Sequence, residues 1–232
     1  MRAAQLPLRF GGRGGKRPGA GRKPKGVRAG VSHAARPSVS RHRPLHVTLR
    51  MTRGLPSLRE QALLAALRGA LRAGKERFGL RVVHYSIQRD HVHLVVEAAD
   101  RRALTRGMQG LDVRVARAIN GVLRKRGTVL GDRYHARALG SPREVRRVLL
   151  YVLLNWRKHA RTRPSDIQWD LASSGVTFDG WSTGTPRDDV PDAMMTTIST
   201  TRAPPRCWLL RVGWRRRGLI DPRDVPLRGA GR

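Results

Sequence analysis

Two histidines separated by one residue are the first candidates for chemistry in this sequence. His91 and His93 lie in the run His-Val-His-Leu-Val-Val-Glu, whose apolar and polar residues alternate as in a strand. Residues two apart on a strand point to the same face, with Cα atoms ~6.6 Å apart, so one metal ion can bind both imidazoles. The competing interpretation is a pair of polar histidines on a solvated sheet face.

A tyrosine and an asparagine on a predicted helix are the second candidates. At 100° per residue, Tyr151 and Asn155 lie one turn apart on one flank of this helix. Arg147 and Lys158 neighbour them on its polar side. The buried stripe of the helix consists of Val145, Val148, Leu149, Val152 and Trp156. This flank carries a phenol, an amide and two cations, whereas a tyrosine taken alone at such an edge is ordinarily a packing residue.

The elements that position these residues can be predicted from periodicity and capping signals. Apolar residues at every second position predict a first strand at residues 45–51. Capping boxes begin helices at Ser57 and Ser141, each with Glu three residues later. The predicted order is strand 45–51, helix from 57, strand 83–87, strand 91–97, helix 101–126, a fourth strand within 128–139, and a third helix from 141 to about 160.

This order predicts the fold class. Strand, helix, strand, strand, helix, strand is the split βαβ pattern of a ferredoxin-like α+β domain, with an antiparallel sheet and helices on one face. The third helix is appended at the C-terminal end of this pattern. Many unrelated functions use the fold, so it does not by itself indicate an activity.

Taken together, the two motifs resemble the single-tyrosine HUH transposases, and most closely the REP-associated tyrosine transposases of bacteria. The resemblance covers about residues 45–160. It rests on His91-Val92-His93 in the strand and on Tyr151-Val152-Leu153-Leu154-Asn155 in the last helix. It implies that His91, His93 and Asn155 bind a divalent metal ion, Mg²⁺ or Mn²⁺. It also implies that Tyr151 is the nucleophile.

Two positions depart from the pattern of that family. Relatives commonly have Pro followed by Asn or Glu before the first histidine, where this chain has Arg89 and Asp90. Relatives usually have Pro after the helix asparagine, where this chain has Trp156. Neither departure removes a reactive group, and both bear on whether this protein cleaves DNA.

The chemistry implied by the resemblance is phosphoryl transfer without an external energy source. Tyr151 would attack a DNA phosphate, displace the 3′-hydroxyl and form a 5′-phosphotyrosine link that a second strand can reverse. A metal ion would offset the charge that grows on the phosphate. A tyrosine has an ordinary pKa near 10, so it needs activation by the metal, by Arg147 or Lys158, or by a base. The sequence leaves these alternatives open.

The charge of the chain indicates a polyanionic partner. Its 232 residues carry a formal net charge of +32 with 39% hydrophobic residues, which is enough for a folded core. No apolar run approaches the ~18 residues of a spanning helix, and no secretory signal is visible. Cys207 is the only cysteine, which excludes a disulfide or a cysteine zinc site within one chain. We expect a soluble, cytoplasmic, nucleoid-associated protein that does not bind membranes.

The chain divides into three predicted parts. Residues 1–43 form a disordered Gly/Pro-rich basic arm, residues 44–162 the transposase-like domain, and residues 163–232 a loop-rich tail. The tail combines Trp208 and Trp214 with arginines, and we expect it to pack against the domain rather than stack on bases. We expect Arg147 and Lys158 of the third helix to contact nucleic acid, together with six residues of the arm: Arg13, Lys16, Arg17, Arg22, Lys23 and Lys25.

Three function classes remain open from the sequence. The first is an enzyme that binds single-stranded, hairpin-bearing DNA and cuts and rejoins it. The second is a DNA-binding protein derived from such an enzyme that does not cut. The third is a ribosomal-protein-like RNA binder. Net charge cannot separate them, because phosphate contacts dominate affinity in all three. Relatives that transpose are often dimers, but the sequence shows no dimer seam.

Overall fold

A computed structural model of the chain describes residues 38–158 and 166–226. The six arm residues predicted to bind nucleic acid lie outside these ranges, and the side chain of Lys158 is not described. The strands are β1 (Leu45–Arg50), β2 (Glu76–Arg77), β3 (Leu80–Ile87), β4 (His91–Ala98) and β5 (His135–Ala138). The α-helices are α1 (Gln61–Gly74), α2 (Arg101–Leu123), α3 (Pro142–Leu153), α4 (Asp192–Ser199) and α5 (Trp208–Arg211).

The strands form one antiparallel sheet in the order β2-β3-β4-β1-β5. The predicted α+β class and the order of strands and helices are therefore confirmed. The two-residue strand β2 was not predicted, because a pair of residues is too short to show a period. β4 lies at the centre of the sheet between β3 and β1, so residues on its two neighbours flank both histidines.

The sheet has two differently covered faces. On one face, alternate residues of β1 and β4 such as Leu45, Val47 and Leu94 are buried together with the apolar sides of α1 and α2. On the other face, Val83 and Val95 are buried with the apolar stripe of α3. Alternate residues of a strand point to opposite faces, so His46 and His93 belong to the α3 face. The third helix therefore covers the face that carries the histidines.

Helix α3 begins as predicted and ends earlier than predicted. The hydroxyl of Ser141 accepts a hydrogen bond from the backbone N–H of Glu144 at 3.3 Å, which caps the first turn. The helix ends at Leu153 rather than near residue 160, and a separate 3₁₀ helix covers Asn155–Lys158. Residues 152–155 are all buried, and a regular helix that lies on a sheet with one face cannot bury four consecutive residues.

The residues after α3 pack on both faces of the sheet. Ala172, Val176, Val190 and Ile198 join the cluster of α1 and α2, whereas the Trp/Arg segment joins that of α3. Trp214 is 1% exposed and stacks on Phe178 with ring centroids 5.3 Å apart, whereas Trp208 is 48% exposed. The buried carboxylate of Glu97 accepts hydrogen bonds from the backbone N–H groups of Arg206 and Cys207. The predicted packing of the Trp/Arg segment is thus confirmed for Trp214. None of the helices in the described residues is both long and apolar enough to cross a membrane.

Candidate active site

The polar residues of β1 and β4 meet beneath α3. In the register of these two strands, Thr48 lies opposite His93 and Arg50 lies opposite His91. Directly opposed residues of antiparallel strands point to the same face. The alternation that buries Leu49 and Val92 on one side therefore brings a cluster of polar side chains together on the other side.

The two histidines of β4 point toward each other at their Nε2 atoms. The distance between His91 Nε2 and His93 Nε2 is 3.0 Å. The other ring nitrogen of His91, Nδ1, lies 2.7 Å from a carboxylate oxygen of Asp90. This hydrogen bond to His91 is the main cause that lowers the pKa of Asp90. A carboxylate at Nδ1 keeps the proton there, so Nε2 of His91 presents its lone pair.

The second ring nitrogen of His93 is also engaged. His93 Nδ1 lies 3.2 Å from His46 Nε2 and 3.2 Å from the hydroxyl of Thr48. His46 is 1% exposed, and burial lowers its pKa to about 4, with Arg137 and His135 adding to the effect. His46 is therefore neutral at physiological pH and fixes the ring of His93 by a hydrogen bond.

The contacts are compatible with an arrangement in which all three histidines are neutral. If His91 carries its proton on Nδ1, facing Asp90, the 3.0 Å contact has His93 Nε2 donating to His91 Nε2. His93 Nδ1 then accepts from His46 and Thr48, and the buried Nδ1 of His46 carries a lone pair without a hydrogen-bond partner among the described residues. In this arrangement one proton lies between the two Nε2 atoms.

The two Nε2 atoms fit a divalent cation. A cation about 2.1 Å from each nitrogen would bind them at an angle of about 90° when they are 3.0 Å apart, the angle of adjacent octahedral ligands. Such a cation would take the place of the hydrogen bond between the two Nε2 atoms, and the proton of His93 would then lie on its Nδ1 atom, beside His46 and Thr48. Among the residues that the structure describes, no group of three or more His, Cys, Asp and Glu side chains is arranged to hold a metal ion. Any further ligands must be amide, hydroxyl, water or substrate oxygens.

Tyr151 lies above the histidine pair. Its hydroxyl oxygen is 3.4 Å from His93 Nε2, and its ring packs edge-on against His93 and His46 at centroid distances of 5.0 and 5.8 Å. The ring is half-buried, and burial raises the pKa of its hydroxyl above the ordinary value, an effect that the positive charge of Arg50 opposes. The hydroxyl is thus protonated at neutral pH and directed at the nitrogen pair.

The other predicted site residues are placed differently. Asn155 is 3% exposed in the 3₁₀ helix after α3, and in residues 38–158 and 166–226 it forms no hydrogen bond with His91 or His93. Its role as a metal ligand stays a prediction. Arg147 is exposed on α3, one turn before Tyr151. The rival tyrosine Tyr134 is 6% exposed in the apolar cluster on the opposite face of the sheet.

Several residues of the site were not assigned a role from the sequence. These are His46, Thr48, Arg50 and Asp90. The first three form the polar half of the alternation in β1, and the pairing of β1 with β4 would have placed them beside the histidines. Asp90 was noted only as a departure from the family pattern, yet its carboxylate orients His91. His84, in contrast, is 4% exposed and contacts Ser174 and Phe178 instead of the site.

The chain is similar to a family of transposases and to solved structures of transposases. The sequence model of the family described as "Transposase IS200 like" matches residues 44–153. The solved structure of a REP-associated tyrosine transposase bound to a REP hairpin is 14% identical, over 56% of this chain and 76% of that one, with a TM-score of 0.47. A candidate transposase from Deinococcus radiodurans R1 is 15% identical over 52% of this chain and 92% of that one, with a TM-score of 0.37.

No curated protein sequence matches the chain at a significant level. The family match spans the whole sheet and α3, and so includes both histidines of β4 and Tyr151. The predicted resemblance to the single-tyrosine transposases of bacteria is thereby confirmed: the model of the IS200-like transposase family matches residues 44–153 of this chain.

Proposed function

We propose that this domain cuts and rejoins single-stranded DNA through a covalent link to Tyr151. The match to a transposase family supports DNA as the partner. The observation that supports cleavage is the convergence of three atoms: the hydroxyl oxygen of Tyr151 lies 3.4 Å from His93 Nε2, which lies 3.0 Å from His91 Nε2. Binding alone requires neither a tyrosine nor paired imidazoles at one point.

Tyr151 is the nucleophile in this proposal. Its hydroxyl oxygen forms a bond to phosphorus while the bond from phosphorus to the 3′-oxygen breaks, and the released 3′-oxygen takes up a proton. The product is a 5′-phosphotyrosine, which keeps the energy of the broken ester. The 3′-hydroxyl of a second strand can therefore attack the link and join the two strands without an external energy source.

The residues around Tyr151 prepare this attack. Because burial raises the pKa of Tyr151, the hydroxyl must lose its proton before or during attack. Arg50 favours the phenolate, since its positive charge lowers that pKa. Tyr151 is only half-buried, so water can reach its hydroxyl and accept the proton. Its position on a capped helix holds the oxygen in place, as in-line attack requires.

His91 and His93 would hold a divalent metal ion through their Nε2 atoms, with Asp90 and His46 fixing the two rings from behind. When bound, the ion supplies positive charge to a non-bridging phosphate oxygen. Two imidazoles suit Mn²⁺ better than Mg²⁺, which prefers oxygen ligands. We propose Asn155 as a further ligand: its buried amide would turn toward the histidines, with which it forms no hydrogen bond among the described residues.

The resemblance to REP-associated transposases also supports finer proposals. It implies a hairpin-bearing strand as substrate, a homodimer as the working form and a location at the nucleoid. A non-cleaving DNA-binding protein is the second candidate function. It is favoured by the position of Asn155 outside the hydrogen-bond network of the histidines. The family match favours DNA over the RNA-binding alternative.

Covalent attachment distinguishes the two candidates. The purified chain would be mixed with a labelled single-stranded hairpin oligonucleotide in Mn²⁺, in Mg²⁺ or in EDTA, and then denatured and separated by electrophoresis. The enzyme is expected to carry the label through denaturation in at least one of the two metals and to lose it in EDTA. A shift in a native gel without any covalent band would support the non-cleaving candidate instead.

A further inference from the structure

A cleft lies along the outer side of α3, the helix that carries Tyr151. It has a volume of about 490 Å³ and separates the outer side of α3 from the segment that follows α5. Four arginines and one aspartate line it: Arg143, Arg146 and Arg147 on α3, and Arg217 and Asp224 across from them. A concave surface with this excess of positive charge concentrates anions.

The far wall of the cleft is fixed to α3. The guanidinium of Arg146 donates from Nε to the carbonyl of Gly218 at 2.9 Å and from Nη2 to the carbonyl of Leu219 at 2.8 Å. The next residue, Ile220, is fully buried, and its backbone N–H donates to the carbonyl of Gly180 at 3.0 Å. The cleft is therefore formed before any ligand binds. One of its walls lies outside the segment that matches the transposase family.

The remaining arginines are available to a ligand. Arg143, Arg147 and Arg217 are exposed, and within residues 38–158 and 166–226 none of them forms an ion pair. Arg143 and Arg147 are four residues apart on α3, so they repel each other and lie about 6 Å apart along the helix axis. That separation is close to the spacing of neighbouring phosphates on an extended strand. A polyanion would satisfy both guanidinium groups and remove their repulsion.

The cleft is lined by the same helix that carries the proposed nucleophile. Leu150 lines it and directly precedes Tyr151 on α3. Arg147 is one helical turn before Tyr151, so the two side chains project from nearly the same flank. Leu150 and Val225, which is 53% exposed, add apolar surface beside the arginines. The sugars and bases of a DNA strand can contact these two apolar side chains, whereas a free phosphate ion would leave them exposed to solvent.

We propose that this cleft binds backbone phosphates of the single DNA strand that reaches Tyr151. The proposal rests on the proposed function, since it takes Tyr151 as the point of attack. It makes Arg143, Arg147 and Arg217 phosphate ligands that do not depend on base sequence. It also makes the segment around residues 217–225 part of the DNA-binding surface rather than only a cover for the core.

A charge-matched pair of double variants tests the location of binding. Arg143→Gln with Arg217→Gln removes two cleft arginines, and Arg102→Gln with Arg117→Gln removes two exposed arginines of α2 on the opposite side of the sheet. Both pairs are introduced into the full chain carrying Tyr151→Phe. Binding of a short fluorescein-labelled oligothymidylate is measured by anisotropy in EDTA at several salt concentrations.

The cleft pair is expected to bind about tenfold more weakly. Its slope of log K against log salt should fall by about 1.4, because each phosphate neutralised on a single strand contributes about 0.7 to that slope. The control pair should change affinity about twofold at most. Equal weakening by both pairs, or no weakening by the cleft pair, would overturn the proposal. Thermal unfolding of each variant shows that the compared proteins are equally folded.

A substitution that removes a negative charge from the cleft provides a second test. Asp224→Asn removes the one carboxylate of the cleft and should tighten binding of the same oligonucleotide roughly twofold or more. Asp188→Asn, at an exposed position away from the cleft, should leave affinity unchanged. Weaker or unchanged binding by Asp224→Asn would count against the cleft. These measurements use no metal and no nucleophile, so a failure of the proposed cleavage would not affect them.

Discussion

The same strands contribute different kinds of side chain to the two faces of the central sheet. On the face covered by α1 and α2, β1 contributes Leu45, Val47 and Leu49, each at most 1% exposed. On the face covered by α3, the same strand contributes His46, Thr48 and Arg50, which contact or influence the histidines of β4 and Tyr151. Strand alternation allows one element to stabilise the core and to carry the site at once.

This difference explains why the candidate site is rigid. β4 is hydrogen-bonded on both edges and anchored below by apolar side chains, so His91 and His93 cannot move independently of the core. β1, which contributes His46, Thr48 and Arg50, is paired directly with β4, and α3, which contributes Tyr151, is held to the same face by its own apolar stripe. Catalytic groups held by strands and helices are positioned more accurately than groups on loops.

The largest expected effect is the loss of cleavage when a histidine of β4 is removed. His91→Ala or His93→Ala removes one of the two Nε2 atoms, so we expect cleavage to fall by roughly a thousandfold or more, since a metal ion contributes several kcal/mol. DNA binding should stay nearly intact. Gel shift and cleavage assays on the same preparations measure both quantities. Normal cutting by either variant would end the metal-site hypothesis.

A substitution on the opposite face should change stability instead. Leu94 is adjacent to His93 in β4, is 0% exposed, and packs in the cluster beneath α1 and α2. Leu94→Ala is expected to lower the free energy of unfolding by about 2–5 kcal/mol. His91→Ala, at a partly exposed position, should lower it by less than about 1 kcal/mol. Urea unfolding followed by circular dichroism compares the two, and equal losses would contradict the division between the faces.

His84 tests whether every histidine on the α3 face belongs to the site. Burial, and next the charge of Arg202, hold the pKa of His84 well below its ordinary value. His84 is therefore protonated less readily in the folded state than in the unfolded state. Its contribution to the free energy of unfolding is complete above about pH 6.5. Below that pH the contribution is lost by about 1.4 kcal/mol per pH unit. His84→Gln should unfold with a weaker dependence on pH between neutral and acid conditions, and should still cleave. An unchanged dependence would show that His84 is not the responsible group.

The smallest expected effect concerns the basic arm. Residues 1–37 carry ten arginines and lysines and no carboxylate, whereas Val39 packs against the core cluster, so the deletion should end at residue 37. We expect weaker DNA binding with a lower slope of log K against log salt, by about 0.7 for each phosphate that the arm neutralises. Cleavage of bound DNA should continue. An unchanged slope would show that the arm does not contact DNA and that the folded domain supplies all phosphate contacts.

Much of the fold could be predicted from the sequence because its signals are local. Alternation predicted β1 and β4, and the capping box at Ser141 predicted where α3 begins. The end of α3 could not be predicted in this way. Leu153 and Leu154 extend the apolar pattern, but both are buried against residues that fold back from further along the chain. Tertiary contacts of this kind leave no periodic signal near the helix end.

The candidate site was predicted in part. His91 and His93 are two residues apart, and their common face follows from strand geometry alone. The contribution of β1 depends on which strand lies beside β4, and that pairing joins residues more than 40 positions apart. The spacing of Tyr151 and Asn155 assumed one continuous helix, and the break after Leu153 changes their relative positions. The role of Asn155 therefore stays a prediction.

The identity of the attached tyrosine tests the central claim most directly. The covalent adduct formed in Mn²⁺ would be digested with nuclease and protease, and mass spectrometry would locate the remaining nucleotide. We predict that it lies on the peptide containing Tyr151, that Tyr151→Phe forms no adduct, and that Tyr134→Phe forms it normally, since Tyr134 is buried on the opposite face. A nucleotide on Tyr134, or an adduct that survives Tyr151→Phe, would contradict the assignment of α3 as the catalytic element.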